Sequence, residues 1–329
     1  MPEARRPRTR ARFIAMLVAI VIVVGIVLLS RGSTVATHLC AYTSNSVSEV
    51  APFERLVGAR IDCVIVFDTA DPSWYSWTHP WFVNSQVARE DWSGWVHERP
   101  GRQLIITLAL IPSSEDSEPW RAMGARGAFT FYAKQLARNL VSDGLGNAII
   151  RLGHEANGTW YADNVGTNKA QWTLWKAFWY NTALAMKSVS GAHFTFDWCI
   201  AIGYRAIPFS DYYPGNDVVT YIGADIYDRG DPTASSAWKE LDDETGGIKA
   251  ITAFADAQGK PFTIPEWGVD TASAGGHGGD PGFISDIESL VRRTHAAFES
   301  YFLSGDSEAA LEASPAGVSA LRRMVAVTG

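Results

Sequence analysis

Apolar runs of strand length recur along this chain, and the stretches between them carry helical periodicity. Strands are expected over 35–42, 61–67, 103–109, 147–152, 193–198, 218–226, 261–265 and 298–303. Between them, Phe129, Tyr132, Ala133, Leu136, Ala137, Leu140 and Val141 share one helical face, and Trp172, Trp175, Trp179, Ala183 and Met186 share another. Gly144 and Gly259 stand just after helical patterns, where left-handed C-terminal caps are expected. Eight strand–helix units predict an α/β fold, a (β/α)8 TIM barrel over residues 34–329.

A barrel of this kind presents its chemistry at the C-terminal ends of the strands. Arg151-Leu-Gly-His-Glu-Ala-Asn-Gly-Thr-Trp160 directly follows the apolar run Asn147-Ala-Ile-Ile150, so Glu155 stands past the end of the fourth strand. Pro261-Phe-Thr-Ile-Pro265 is again apolar and is followed by Glu266, Trp267 and Gly268 at the end of the seventh. Two glutamates can then converge across the barrel mouth. Paired carboxylates are the minimum equipment for glycoside hydrolysis, since one protonates the leaving oxygen while the other stabilises or attacks the anomeric carbon. Long aromatic or glycine-rich loops fall on the same side, over 68–95, 204–215 and 271–282. The last, with Ala274-Gly-Gly-His-Gly-Gly279, reads either as a mobile lid or as a disordered loop. Asp68, Asp197 and Asp225 read either as site residues or, the preferred reading, as anchors of barrel-end hydrogen bonds.

A net charge of −7 argues against a nucleic-acid partner, whose binders concentrate Lys and Arg on one face. Five of the basic residues, Arg5, Arg6, Arg8, Arg10 and Arg12, precede an uncharged run over 13–30. That pairing predicts membrane contact through residues 13–30, as a signal anchor in preference to a cleaved signal peptide. Arginines hold an N-terminus in the cytoplasm, so the domain is expected outside, either on the extracellular face of the membrane or secreted. Residues 1–33 are therefore set apart from the barrel. Trp74, Trp77, Trp81, Trp92 and Trp95 cluster within 22 residues of a loop. Core packing is the common use of any one tryptophan, but as a group they suggest platforms for sugar rings. No CxxC or Cys/His cluster accompanies Cys40, Cys63 and Cys199, so no metal and no cofactor are expected. A Cys40–Cys63 disulfide is open to an exported protein, although three small buried hydrophobes is the preferred reading.

The stretch from Arg151 to Tyr161 resembles the acid/base motif of glycoside hydrolase family 26, the mannanase family of the retaining TIM-barrel glycosidases. His154-Glu155-Ala156-Asn157-Gly158 is its specific part, with His where most of that clan has Asn. Ile264-Pro-Glu-Trp-Gly268 is similar to the family's nucleophile strand, and Val219-Thr-Tyr-Ile-Gly-Ala-Asp-Ile-Tyr227 to its sixth strand. The resemblance implies Glu155 as general acid/base, Glu266 as nucleophile and Tyr227 as hydrogen-bond donor to Glu266. It implies a substrate-contacting or orienting role for His154 and a subsite lined by Trp160 and Trp198; Asn157 and a stacking Trp267 are expected to add substrate contacts, in a monomer acting on a carbohydrate polymer or oligosaccharide. The tryptophan-rich second loop departs from the better-known mannanases, which leaves the sugar open. The function expected is a retaining glycoside hydrolase of β-linked glycans. A non-catalytic carbohydrate-binding or cell-envelope scaffold is the alternative, and possession of both glutamates speaks against it.

Overall fold

The computed structural model describes residues 37–68, 72–82, 91–112, 118–231, 233 and 236–328. The run over 13–30 lies outside the described residues. Among the described residues, no helix is long and apolar enough to cross a membrane.

Eight parallel strands close on themselves in sequence order: β1 (His38–Tyr42), β2 (Cys63–Phe67), β3 (Gln103–Leu108), β4 (Ile149–Leu152), β5 (Thr195–Ala201), β6 (Tyr221–Asp228), β7 (Phe262–Val269) and β8 (Phe298–Phe302). β1 completes the ring by pairing with β8, from His38↔Phe298 to Tyr42↔Phe302. Around them run α1 (Val50–Val57), α2 (Trp74–Thr78), α3 (Trp92–Glu98), α4 (Glu118–Ala125), α5 (Thr130–Ser142), α6 (Lys169–Lys187), α7 (Phe209–Tyr212), α8 (Trp238–Asp243), α9 (Ile248–Gln258), α10 (Pro281–Thr294), α11 (Gly305–Glu312) and α12 (Pro315–Thr328). Each expected strand is present. β7, however, continues past its expected end through Trp267 to Val269, because pairing with β6 resumes at Ile226↔Trp267. Glu266 therefore belongs to the strand itself.

Local chemistry sets the helix ends. Asp280 caps α10 by accepting from Gly282 N and Phe283 N, with Pro281 opening the first turn and Arg292 and Arg293 in the last. Gly259 ends α9 at φ +64°, the left-handed cap expected of it. On α6 the buried stripe of Trp175, Phe178, Trp179, Ala183 and Met186 faces the strands. Its indoles also hold the barrel mouth: Trp179 Nε1 donates to Leu152 O at 2.7 Å, and Trp175 Nε1 to Asp163 O at 2.7 Å.

Strand side chains alternate between the barrel interior and the helical layer. The lower interior is apolar, with Cys40, Cys63, Ile65, Ile105, Ile149 and Phe298 in contact. Cys40 and Cys63 are register partners on β1 and β2 and are joined by a disulfide, which replaces the preferred reading of three separate thiols. Closing a loop across 23 positions should stabilise the fold by about 3 kcal/mol. Cys40→Ser is expected to lower the midpoint of thermal unfolding, with addition of reductant to the unfolded wild type producing the same deficit.

One irregularity in the ring matters for chemistry. From Thr263 to Trp267, β7 uses one more residue than β6 does from Gly223 to Ile226, and from Ile264 to Trp267 one more than β8 does from Glu299 to Tyr301. This is a β-bulge, placed at Pro265, which has no N–H to give to a ladder. In an unbroken strand Glu266 would share the outward face of Ile264. The extra residue turns it into the barrel, and Ile264 and Trp267 both face the helical core. Crowding inside is tight: a Cβ on Gly223 would lie 2.6 Å from Thr263 Oγ1 and 2.9 Å from Pro265 Cγ.

Candidate active site

Beyond β4 the chain turns through two left-handed residues, Gly153 at φ +55° and Glu155 at φ +50°. For a glutamate that conformation costs on the order of 1 kcal/mol, so the loop around it has to hold it. Glu155 N donates to Cys199 O at 3.2 Å, and Gly158 N to Glu155 O at 2.7 Å. Asn157 Nδ2 donates to Ala201 O at 2.8 Å while its Oδ1 accepts from Ala201 N at 2.9 Å, so a side chain continues the β4–β5 ladder. Arg205 adds bonds to the carbonyls of Asn157 and Gly166, each 2.7 Å. Trp160 Nε1 then donates to Glu155 Oε2 at 2.8 Å.

Glu266 meets this group from the other side of the barrel. Its Oε2 accepts from the Tyr227 hydroxyl at 2.7 Å, and its Oε1 from Arg151 Nη1. Arg151 points inward from β4 with Ile149, is 0% exposed, and reaches Asp225 with its second nitrogen. A carboxylate oxygen from each of Glu155, Asp225 and Glu266 lies within 4.8 Å of the other two. Such convergence resembles a divalent-cation site, but Arg151 already brings a positive charge to two of the three. Burial works against the Arg151 charge, and Asp225 and Glu266 outweigh it, so it stays protonated. Glu155 shows the opposite balance: burial first, then the Glu266 charge, raise it to about 7 despite Arg151 and the Trp160 bond. Burial likewise pushes the Asp225 carboxyl well up, against the pull of Arg151.

A cavity of about 410 Å³ opens above these groups, walled by Glu155, Trp160, Tyr204, Tyr227, Arg229 and Glu266 among others. The structure therefore brings Glu155, Glu266, Tyr227 and Trp160 together. Trp160 is 43% exposed and meets Tyr204 edge-on at 4.3 Å, giving the rim an aromatic corner. The remaining expected residues are placed differently. Trp198 is 0% exposed and faces the helical layer among Tyr212, Tyr213 and Phe254, because strand alternation sends Asp197 and Cys199 inward instead. Trp267 is also 0% exposed, turned outward by the bulge onto Tyr301. Asn157 is spent on the ladder bonds. His154 is buried between Phe67 and Tyr161, and both ring nitrogens lack a partner among the described residues. Burial and the nearby Arg151 push it well down, so the ring is neutral.

The second-loop tryptophans mostly pack. Trp77 and Trp92 are buried, Trp77 Nε1 donates to Ala109 O at 2.8 Å, Trp74 stacks on Tyr132 at 4.2 Å, and Trp95 carries Arg102 over its ring; Trp81 alone of the five is well exposed. The glycine-rich loop after β7 is tied down. Arg229 bridges to Gly276, and His277 Nδ1 lies 2.9 Å from Asp228 Oδ1. Asp225, read as an anchor, is a wall of the cavity as well as a partner of Arg151. Arg151 was missed; an arginine in an otherwise apolar strand is the signal that could have marked it, although period alone does not say what it holds. Tyr204 and Arg229 lie in loops, where no periodicity marks them.

No protein-family model and no curated protein sequence matches the chain. Solved structures do. The Bacillus subtilis mannanase BCman superposes with a TM-score of 0.62 at 17% identity, over 88% of this chain and 85% of that one. The YdhT protein of B. subtilis gives 0.59 at 16% identity, over 85% and 83%. A modular endo-β-1,4-mannanase of Cellulomonas fimi, a glycoside hydrolase family 26 mannanase, gives 0.59 at 14% identity, over 83% and 66%. The chain thus has the fold of these barrels.

Proposed function

We propose that the chain is a retaining glycoside hydrolase acting on a β-linked polysaccharide or oligosaccharide, with β-mannan the first substrate to try. The observation that carries this reading is the pair Glu155 and Glu266, with carboxylate oxygens within 4.8 Å. Retaining enzymes hold their carboxyl groups about 5 to 5.5 Å apart, whereas inverting enzymes leave about 6.5 to 9.5 Å for a water. The two environments differ in the sense the mechanism needs. Glu266, held by Arg151 and Tyr227, is supplied with donors to an ionised carboxylate. Glu155 is buried beside that charge and keeps its proton up to about 7.

Glu266 attacks the anomeric carbon while Glu155 protonates the departing oxygen. The glycosyl ester has no charge on Glu266, so the repulsion that raised Glu155 is gone and it can take a proton from the incoming water. One residue serves both halves. The mannanases among the structural neighbours support the choice of β-mannan, and the same assay would include β-glucan, xylan and arabinogalactan. Release of reducing ends from one of them supports the reading; an inert protein on all of them would overturn it.

A pH dependence follows from the same balance. Glu155 must be protonated in the free enzyme, and it loses that proton as pH rises through about 7. kcat/KM should therefore fall on the alkaline side with an apparent pKa near that value. Trp160→Phe removes a donor that favours the ionised form, so the limb should move to higher pH. A limb that stays put, or moves lower, contradicts the assignment of Glu155 as the acid.

A further inference from the structure

The bulge that turns Glu266 inward is bordered by a second, unexplained carboxyl. Trp267, the residue directly after Glu266, is fully buried on the outer face of β7. Its ring meets Tyr301 edge-on at 4.8 Å, and its indole N–H donates to Glu299 Oε2 on β8. Glu299 is 1% exposed, its Oε1 has no hydrogen-bond partner, and no described basic side chain forms an ion pair with it. It sits at the last register pair before the bulge, Ile264↔Glu299, while Trp267 sits at the first pair after it, Trp267↔Tyr301. The hydrogen bond therefore spans the irregular step.

We propose that Glu299 is a positioning residue for the nucleophile: by pinning the Trp267 indole across the bulge, it fixes the direction in which β7 delivers Glu266. The inference rests on the glycosidase reading above. A buried carboxyl without a cation is costly, and an apolar residue of similar volume would fill the wall more cheaply. What the apolar residue would lose is the acceptor for the indole N–H. Arg151 and Tyr227 restrain the carboxylate end of Glu266. Trp267 is joined to the Glu266 backbone by one peptide plane, so a bulge free to shift would move the nucleophile relative to the anomeric carbon. Burial also keeps the Glu299 carboxyl up to about 7. A glutamine, which has a carbonyl oxygen but no charge, can accept the same bond.

The test uses the full chain on the best substrate of the panel above, with Glu299→Leu, Glu299→Gln, Trp267→Phe and the Leu/Phe double variant. Misplacement of a reacting group by about 1 Å can cost about 100-fold, so Glu299→Leu should lower kcat by roughly 10- to 100-fold with KM within about twofold. Near-ultraviolet circular dichroism should stay that of the wild type. Glu299→Gln should restore kcat to within a few-fold. Trp267→Phe should match Glu299→Leu, and the double variant should lose no more than either single one, as expected of two ends of one interaction. Wild-type kcat in Glu299→Leu, a loss confined to KM, or equal damage from Gln and Leu would overturn the proposal. If Glu299→Leu does not fold, the remaining pair decides: an active Gln variant with an impaired Trp267→Phe supports it, and two variants of equal activity overturn it. A wild type inert on every glycoside defeats the hydrolase reading itself, whereas an active wild type with an indifferent Glu299→Leu defeats the positioning role alone.

Discussion

Glu266→Ala is expected to remove turnover on every glycoside the wild type accepts, by about 10⁶-fold, the scale on which loss of a covalent nucleophile shows in other enzymes. Among the described residues, no other carboxylate of the cavity is placed to replace it. Asp225 is within reach by distance, but it is engaged by Arg151. Glu155→Ala should behave differently, because the two halves of the reaction need its proton unequally. A substrate with an activated leaving group departs without help, so formation of the glycosyl-enzyme survives. Hydrolysis of that intermediate then stalls for want of a base, and azide, which needs none, should restore turnover and yield a β-glycosyl azide. The contrast is the point: proton nuclear magnetic resonance of the first-formed product should show the starting anomer. An inverted product, or an α-azide, would falsify the assignment of Glu266 as nucleophile.

The features that were legible in sequence are those with a period or a chemical singularity. Eight apolar runs marked eight strands because parallel strands buried on both faces have no alternative composition. Glu155 stood out because an ionisable side chain at an apolar strand end needs a reason to be there, whereas Tyr227 was marked only by the resemblance of its strand to the family's sixth. What sequence could not convey was direction. Trp198 and Trp267 are aromatic, adjacent to the site and both turned away, one by simple alternation and the other by an extra residue at Pro265. The tryptophans of the second loop were countable, yet a count does not separate a platform from a core. Only packing against Tyr132, Ala109 and Arg102 does. Arg151 joins residues on β4, β6 and β7, so its role exists only once the ring is closed.

Closure of that ring makes Arg151 the residue whose loss should alter both stability and chemistry. Arg151→Leu leaves Glu155, Asp225 and Glu266 within 4.8 Å of one another with no cation between them. Removing one partner of a buried charged network typically costs about 3 to 5 kcal/mol, although the carboxyls can relieve part of this by binding protons. That relief has a direction. Arg151 is among the influences that hold Glu155 down, so without it Glu155 keeps its proton to higher pH. Activity at pH 7 should drop by about 10²- to 10³-fold because Glu266 loses its orienting donor. The alkaline limb therefore moves to higher pH than the wild type's, and the unfolding midpoint falls most where the carboxyls are forced to ionise. Arg151→Lys separates charge from geometry: it supplies one cation without the fork that reaches Asp225 and Glu266 together. Its pH profile should return toward the wild type's while kcat stays low. Should Arg151→Leu keep the wild-type optimum, the guanidinium is only filling the barrel.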